Sequence, residues 1–416
     1  MQKVSVSPNE LEQCLKCSIC TAVCPVMNNS DVYPGPKQCG PDAERYRMKD
    51  IAYFDEAALK KCLNCKRCET ACPHGVKVAE LIQTARRDHS THGPGLREIA
   101  LANTDIMGSM ATLVAPLANF GTSLGVTKWV LDKTVKIDHR RTFPKYAGTK
   151  FVTWYRRNAE AYQGKYRHQV AYFHGCYVNY NYPQLGKDLV AVMNALGYGV
   201  QLLDGEKCCG VALMANGMYK QARKQGEANI AAIRSALNCG VEAIVTTSSS
   251  CTLNMRDEYE SMLGIDQRDV RDSIGLAVRF ISRLVDEGKV RLVFKPDYKR
   301  HLCYHTACHM ARLGWNVYTI NLLRRIPGLQ LDILEQNCCG ISGTYGFKKE
   351  NYDLSQQIGS TLFDSVAATG AEAVVTECET CKWQIEMSTP YGVLNPISVL
   401  AEALDLEATQ LANVSE

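Results

Sequence analysis

Apolar residues are distributed along this chain in three different ways. From residue 168 onward, short β-branched or aromatic runs (VAYFHGC, IVTTSSSC, HLCYHTAC, VVTECETC) alternate with longer stretches of helical periodicity. That alternation predicts βα units and a parallel sheet. Residues 91–167 first run apolar (IALANTDIMGSMATLVAPLANFGTSLGVTKWVL) and then turn basic. Residues 1–90 carry short helix-compatible stretches, over 53–61 and 78–87, between cysteine-rich segments.

The last region is an internal repeat. Cys176, at the end of VAYFHGC, recurs as Cys308, 132 residues later. Cys208-Cys209-Gly210 recurs as Cys338-Cys339-Gly340, and Cys251 recurs as Cys381, both offset by 130. A period this long marks a domain duplication, since solenoid units run to roughly 20–50 residues. The expected fold is therefore multidomain: a cysteine-rich N-terminal domain with α-helical stretches (1–90), a connector (91–167), and two duplicated α/β lobes with parallel sheets (168–297 and 298–416).

Composition sharpens this picture through cysteine. A chain of 416 residues that is 46% hydrophobic and 22% charged is globular and long enough to bury real cores, yet it holds 20 cysteines. Disulfide density belongs to small secreted domains that cannot build such a core. The N-terminus, MQKVSVSPNELEQ, has no basic segment followed by an apolar run, so no signal peptide is expected. A disulfide scaffold is excluded, and metal ligation or redox chemistry is favoured.

The N-terminal spacing is specific. Cys14-x2-Cys17-x2-Cys20-x3-Cys24-Pro25 is followed by Cys62-x2-Cys65-x2-Cys68-x3-Cys72-Pro73. In the bacterial two-cluster ferredoxin run, the fourth cysteine ligates the other cluster. One 4Fe–4S cluster is thus expected on Cys14, Cys17, Cys20 and Cys72, and a second on Cys62, Cys65, Cys68 and Cys24. A pair of zinc sites is the alternative, but two matching x2, x2, x3, Pro runs fit zinc spacings poorly. The long gap from Cys24 to Cys62 favours a helical ferredoxin over the small β-hairpin kind.

In each lobe the cysteines follow predicted strands, whose carboxyl ends in a parallel sheet line one crevice. The second lobe offers Cys308, Cys338, Cys339, Cys378 and Cys381. The first offers Cys176, Cys208, Cys209 and Cys251, because Ser248 stands where Cys378 stands in the other copy. Burial as small hydrophobes is the alternative reading for these thiols, and it is the preferred one for Cys39, Cys239 and Cys303. His174, His305 and His309 sit beside the strand-end cysteines as supporting groups.

The net charge of +4 is uneven: between Lys128 and Arg167 stand 11 Lys/Arg and 3 acidic residues, a local +8 in a remainder of −4. Just before it, residues 106–127 are 22 positions without a charge. An apolar helix lying in a membrane surface, followed by a basic segment facing anionic lipid, explains both halves. A core helix with a solvated linker, or a true span, are the other readings. No phosphate-binding loop and no G-x-G-x-x-G after a strand is present, so neither flavin nor NAD is expected, and a partner must oxidise any organic substrate.

The lobes resemble the CCG cysteine-rich domains of heterodisulfide reductases. The whole chain resembles the iron–sulfur subunits of glycolate and lactate oxidases and, above all, those of anaerobic glycerol-3-phosphate dehydrogenases. The resemblance rests on CLKCSICTAVCPV, YPGPKQCGPDAERYRMKD and CLNCKRCETACPHGVKV, with the two lobes in order. It implies a component of anaerobic glycerol respiration, with no activity of its own, that carries electrons from a flavoprotein dehydrogenase to the menaquinone or quinone pool. The implied location is peripheral, on the cytoplasmic side of the inner membrane; nucleic acid is not an expected partner. It also implies a non-cubane 4Fe–4S cluster on Cys308, Cys338, Cys339, Cys378 and Cys381. The first lobe, with Ser248, carries an incomplete copy, and a fourth cluster there would rest on its four cysteines alone.

Overall fold

A computed structural model of the chain describes residues 11, 13–49, 55–90 and 93–414. Two four-stranded sheets of identical topology carry the duplication. The first has β1 (His168–Phe173), β2 (Tyr198–Leu202), β3 (Ile244–Thr246) and β4 (Ile274–Leu276) in the order β2-β1-β3-β4. The second has β5 (Arg300–Tyr304), β6 (Leu329–Ile333), β7 (Ala373–Val375) and β8 (Gly392–Leu394) in the order β6-β5-β7-β8. Every pairing is parallel. Helices cover both faces, which is why the central strands read as unbroken apolar runs: Val170, Ala171, Tyr172, Val374 and Val375 are all fully buried.

The strand order places a topological switch between β1 and β3, and again between β5 and β7. The chain leaves the central strand to one side first and to the other side next, opening a crevice at the strands' carboxyl ends. The lobes are not independent globules. One apolar core runs through both, joining Tyr172 and Leu189 to Tyr304 and Leu400. Across the junction the Ser249 N–H donates to the Glu377 carbonyl (2.9 Å), and Asn395 Nδ2 donates to the Thr247 carbonyl (3.0 Å). The final helix, Leu406–Val414, returns to the first lobe, where Asn413 Nδ2 donates to the Arg291 carbonyl at 2.8 Å.

The N-terminal domain is helical, with no strand among its described residues. The helix expected over 78–87 forms as Val78–His89, and that expected over 53–61 as Glu56–Lys61, residues 53 and 54 lying outside the described ones. The Asp55 carboxylate caps the latter by accepting the Ala58 N–H at 3.0 Å.

The connector departs from expectation. In place of one interfacial helix, residues 104–134 form three: Thr104–Leu113, Ala115–Ser123 and Gly125–Thr134. Pro116 in the first turn of the middle helix cannot donate to the turn before it, and Leu124 is extended. No described helix is long and apolar enough to cross a membrane. The packing is inverted relative to a core helix. Gly108, Thr112 and Ala115 are buried, while Met110, Leu113, Leu117, Phe120, Val126 and Trp129 are 57–81% exposed. The basic stretch is divided as well. Arg141 is buried, and Arg140 pairs with Asp138 and Asp353 (both 2.8 Å), whereas Lys145, Arg156, Arg157 and Arg167 face solvent.

Candidate metal centres

The two ferredoxin runs fold alike. Each places two residues in the left-handed region around its second cysteine, Lys16 and Ser18 in one and Asn64 and Lys66 in the other. This bends the loop so that successive thiols turn inward. Each third cysteine sits on a short helix, Ile19–Ala22 or Arg67–Thr70. Each fourth cysteine closes that helix in the same way: the Cys24 N–H donates to the Thr21 carbonyl and the Cys72 N–H to the Glu69 carbonyl, both at 3.2 Å. Cys24 crosses to the other run and lines one pocket with Cys62, Cys65 and Cys68. Burial pushes its thiol up to about 12, and the neighbouring Cys65 and Cys62 push in the same direction. Cys14 and Cys17 act on Cys20.

The lobe cysteines gather at the carboxyl ends of the strands, at both switch points. In the first lobe the Cys208 and Cys176 sulfurs are 3.7 Å apart, and Cys209 interacts with both Cys208 and Cys251. In the second, Cys339 and Cys381 are 3.2 Å apart, the Cys381 N–H donates to Cys378 Sγ (3.4 Å), and Cys308 interacts with Cys338. The glycines after the paired cysteines have φ of +91° (Gly210) and +85° (Gly340). At Gly340 a Cβ would lie 2.0 Å from the Ser355 carbonyl oxygen, so only glycine fits that turn.

The Cys308 thiol also interacts with Cys65 of the ferredoxin domain. The two motifs are 243 residues apart in sequence and share one site in space. Docking is specific. Lys66, next to Cys65, is buried and reaches Glu69 (3.6 Å) and Glu258 of the first lobe (3.1 Å), while Asn64 Nδ2 donates to Glu258 Oε1 at 2.9 Å. Burial lowers the Lys66 pKa, but the two carboxylates overcome that and hold its ammonium charged. A single cavity of about 1610 Å³ is lined by the thiols of both lobes, by Cys62 and Cys65, and by Leu101, Met107 and Leu131 of the connector.

Carboxyl groups flank both lobe sites; in the second, Glu377 and Glu379 stand on either side of Cys378, raised by burial to about 7 and about 8. In the first, burial pushes Asp105 up to about 6 while its carboxylate accepts the Cys208 N–H at 2.8 Å. Burial also pushes Glu206 well up, and it accepts from Gly175 N–H (2.8 Å) and His174 N–H (3.3 Å). Burial lowers His174 to about 4, keeping it neutral. His309 lies against Ser250 Oγ (3.0 Å) and the Asn64 carbonyl (3.4 Å), at the ferredoxin junction. Cys303 is buried within β5, Cys39 is buried in the ferredoxin core with Tyr33, and Cys239 is exposed at a helix end. The sequence offered no sign of Asp105, Glu206 or Glu258 as neighbours of thiols, because each lies far from them in the chain or inside an unremarkable polar run.

All twenty cysteines are free thiols. Sulfurs crowded together and withdrawn from water are an arrangement that iron ligation stabilises. His305 adds an independent observation. It is fully buried beside Cys338, and neither ring nitrogen has a partner among the described residues. Such orphaned nitrogens fit a site completed by an acceptor such as inorganic sulfide. The residues present fit iron–sulfur clusters.

Fold and site together define an iron–sulfur protein with a dicluster ferredoxin domain joined to a duplicated cysteine-rich domain. Residues 10–76 match the 4Fe-4S dicluster domain family, and residues 170–256 and 302–386 each match the cysteine-rich domain family. The chain is 54% identical over 399 residues to a subunit of the anaerobic glycerol-3-phosphate dehydrogenase of Escherichia coli (strain K12), covering 96% of this chain and all of that protein. It belongs to the family of that subunit. More distant similarity extends to a subunit of the CoM/CoB fumarate reductase of Methanothermobacter marburgensis, 25% identical over 95% of this chain and 72% of that one. The glycolate oxidase iron-sulfur subunit of E. coli is 24% identical, with 95% of each chain covered.

Proposed function

We propose that the protein is the electron-transfer subunit of a glycerol-3-phosphate dehydrogenase complex. In this reading it takes electrons from a flavoprotein subunit and delivers them to menaquinone or another quinone, peripherally bound at the cytoplasmic face of the inner membrane. The observation that carries the reading is the convergence of Cys65 and Cys308 beside one thiol-lined cavity under the apolar connector. Cys14, Cys17, Cys20 and Cys72 would hold one cluster and Cys62, Cys65, Cys68 and Cys24 the next. Cys308, Cys338, Cys339, Cys378 and Cys381 would hold a third, and Cys176, Cys208, Cys209 and Cys251 form the incomplete site. Clusters bound there supply one-electron carriers whose potentials follow net charge, hydrogen bonding and exposure.

The chain's own residues do the rest. Lys66, Asn64 and Glu258 fix the ferredoxin loop against the lobes, which keeps the Cys65–Cys308 approach short. The exposed Leu113, Leu117, Phe120 and Trp129 offer an apolar surface to lipid, with the solvent-facing basic residues beside them for anionic headgroups. The test uses anaerobically purified full chain with the co-purifying flavoprotein and quinone-containing vesicles. Glycerol 3-phosphate is expected to bleach the iron–sulfur absorbance only when the flavoprotein is present. Clusters that stay oxidised overturn the reading. Bleaching by glycolate or lactate instead moves the chain to the oxidase branch. The five-cysteine set supports one second reading, reduction of a disulfide substrate at the second lobe; heterodisulfide turnover abolished by Cys338→Ser would establish it.

A further inference from the structure

Arg141 belongs to the basic stretch of the connector, yet it is 0% exposed and heads the fully buried side chains by size. Its Nε donates to the Gly346 carbonyl, its Nη1 to Gln384 Oε1, and its Nη2 to Ser355 Oγ at 2.9 Å. The Tyr352 and Phe347 rings lie 4.7 and 5.6 Å from the guanidinium carbon. None of these partners is charged. The nearby Asp138 carboxylate is engaged by Arg140 at 2.8 Å, and no carboxylate forms an ion pair with Arg141 among the described residues. A guanidinium does not escape burial by losing its proton, and an isolated buried charge is strongly disfavoured. This position therefore calls for an anion close by.

The partners show where that anion is. Gln384 lies one helical turn beyond Cys381 on Glu379–Ser388. Ser355 packs on Gly340, immediately after Cys339, and Gly346 ends the same loop. Arg141 thus grips the two segments whose thiols, Cys339 and Cys381, stand 3.2 Å apart, and Cys339 is among the groups whose charge acts on it. The first lobe has no such cation. Shifted by 130 residues, Gln384 becomes Asn254, which donates to the Cys209 carbonyl at 2.6 Å. Carboxyl groups stand by the thiols of both lobes, Asp105 and Glu206 in the first and Glu377 and Glu379 in the second, so the guanidinium is what sets the second apart.

We propose that Arg141 is a positioning and tuning residue for the second-lobe centre: its buried positive charge stabilises the more negative, reduced state of a cluster held by Cys308, Cys338, Cys339, Cys378 and Cys381, raising that cluster's reduction potential selectively. The inference rests on the cluster assignment proposed above. A fixed cation in a low-dielectric interior acts strongly on neighbouring charge, and net charge is a principal lever on cluster potential.

The test is an electron-paramagnetic-resonance redox titration of the full-length chain, purified anaerobically, with iron content measured on each sample. Arg141→Lys keeps the charge and is expected to leave the second-lobe potential near its original value. Gln384→Glu keeps the side-chain shape and sets a carboxylate against the guanidinium. It is expected to lower the potential of that one centre and leave both ferredoxin centres unmoved, at unchanged iron content. Should Arg141→Met fold, it is expected to shift the same centre in the same direction. A second-lobe signal that ignores Gln384→Glu, or an equal shift at every centre, overturns the inference alone. Unmodified protein with iron only in the ferredoxin motifs overturns the cluster assignment and the inference together.

Discussion

In the first lobe Ser248 caps the helix Ser249–Leu253 by accepting the Cys251 N–H at 3.3 Å; in the second, Cys378 caps Glu379–Ser388 by accepting the Cys381 N–H at 3.4 Å. Oxygen and sulfur thus perform the same backbone task at equivalent positions, and only one of them can also ligate soft iron. The Ser248 hydroxyl donates to Glu379 Oε2 of the other lobe at 3.0 Å, so it contributes to the lobe junction instead. Carboxyl groups stand by both sites, Asp105 and Glu206 by the first and Glu377 and Glu379 on either side of Cys378 in the second, and only the second adds a buried guanidinium, Arg141, on the segments of Cys339 and Cys381. The lesson is that a duplicated backbone, held by the same strand order and the same Cys-Cys-Gly turn, specifies where a site lies but leaves its chemistry to individual side chains.

Removing a thiol tests this contrast most severely. Cys338→Ser is expected to cost the chain about four irons, with a smaller loss for Cys208→Ser, both read by iron and sulfide analysis. Equal losses would erase the distinction between the lobes. Next in size is the clamp that ties the ferredoxin loop to the first lobe while presenting Cys65 to the second. Lys66→Met leaves Glu258 buried without its lysine partner, while Glu69 keeps Arg312 at 3.3 Å; breaking a buried pair costs about 3–5 kcal/mol, measurable by denaturant unfolding.

The same clamp has a defined pH dependence. Burial raises the Glu258 pKa, but the Lys66 ammonium and hydrogen bonds outweigh it and hold the carboxyl below its ordinary value. Its contribution is therefore complete above the ordinary glutamate value of about 4.3 and is lost as pH falls through the depressed one. Acid below the ordinary glutamate value of about 4.3 is expected to release the ferredoxin domain in the native chain, read by proteolytic sensitivity of the 60–70 segment, and Lys66→Met should abolish that acid step.

Ser248→Cys sharpens the comparison from the other side. Because sulfur already caps the equivalent helix at Cys378, stability should change by less than about 1 kcal/mol. The completed five-cysteine set is expected to raise iron content; unchanged iron would place the difference in the other groups around the thiols. Smallest in stability terms are Leu117→Ser and Phe120→Ser on the exposed face of the connector. They should alter unfolding by no more than about 0.5 kcal/mol and yet reduce co-sedimentation with anionic vesicles, whereas an unchanged sedimentation would exclude lipid contact through this face.

Spacing, repeat length and hydrophobic period were legible in the chain because they are local or strictly periodic. The x2, x2, x3, Pro runs, the 130-residue offset and the strand-end cysteines were enough to establish a helical ferredoxin followed by two parallel-sheet lobes. They also brought forward, as candidates, the nine lobe cysteines that line one cavity and the Cys24, Cys62, Cys65 and Cys68 set that lines one pocket. Only the tertiary structure decided which groups face those thiols. The Cys65–Cys308 approach spans 243 residues, the Lys66–Glu258 pair 192 and the Arg141–Gln384 contact 243, and none leaves a periodic trace. Arg141 read as one more charge in a basic stretch facing anionic lipid, since sequence carries no mark of burial for a single cation. The connector shows the complementary case. Its apolar character was plain, but its division at Pro116 and Leu124, with small residues inward and large ones outward, depended on what it packs against. Backbone periodicity is written into neighbouring residues; burial and charge pairing are properties of residues that meet only after folding.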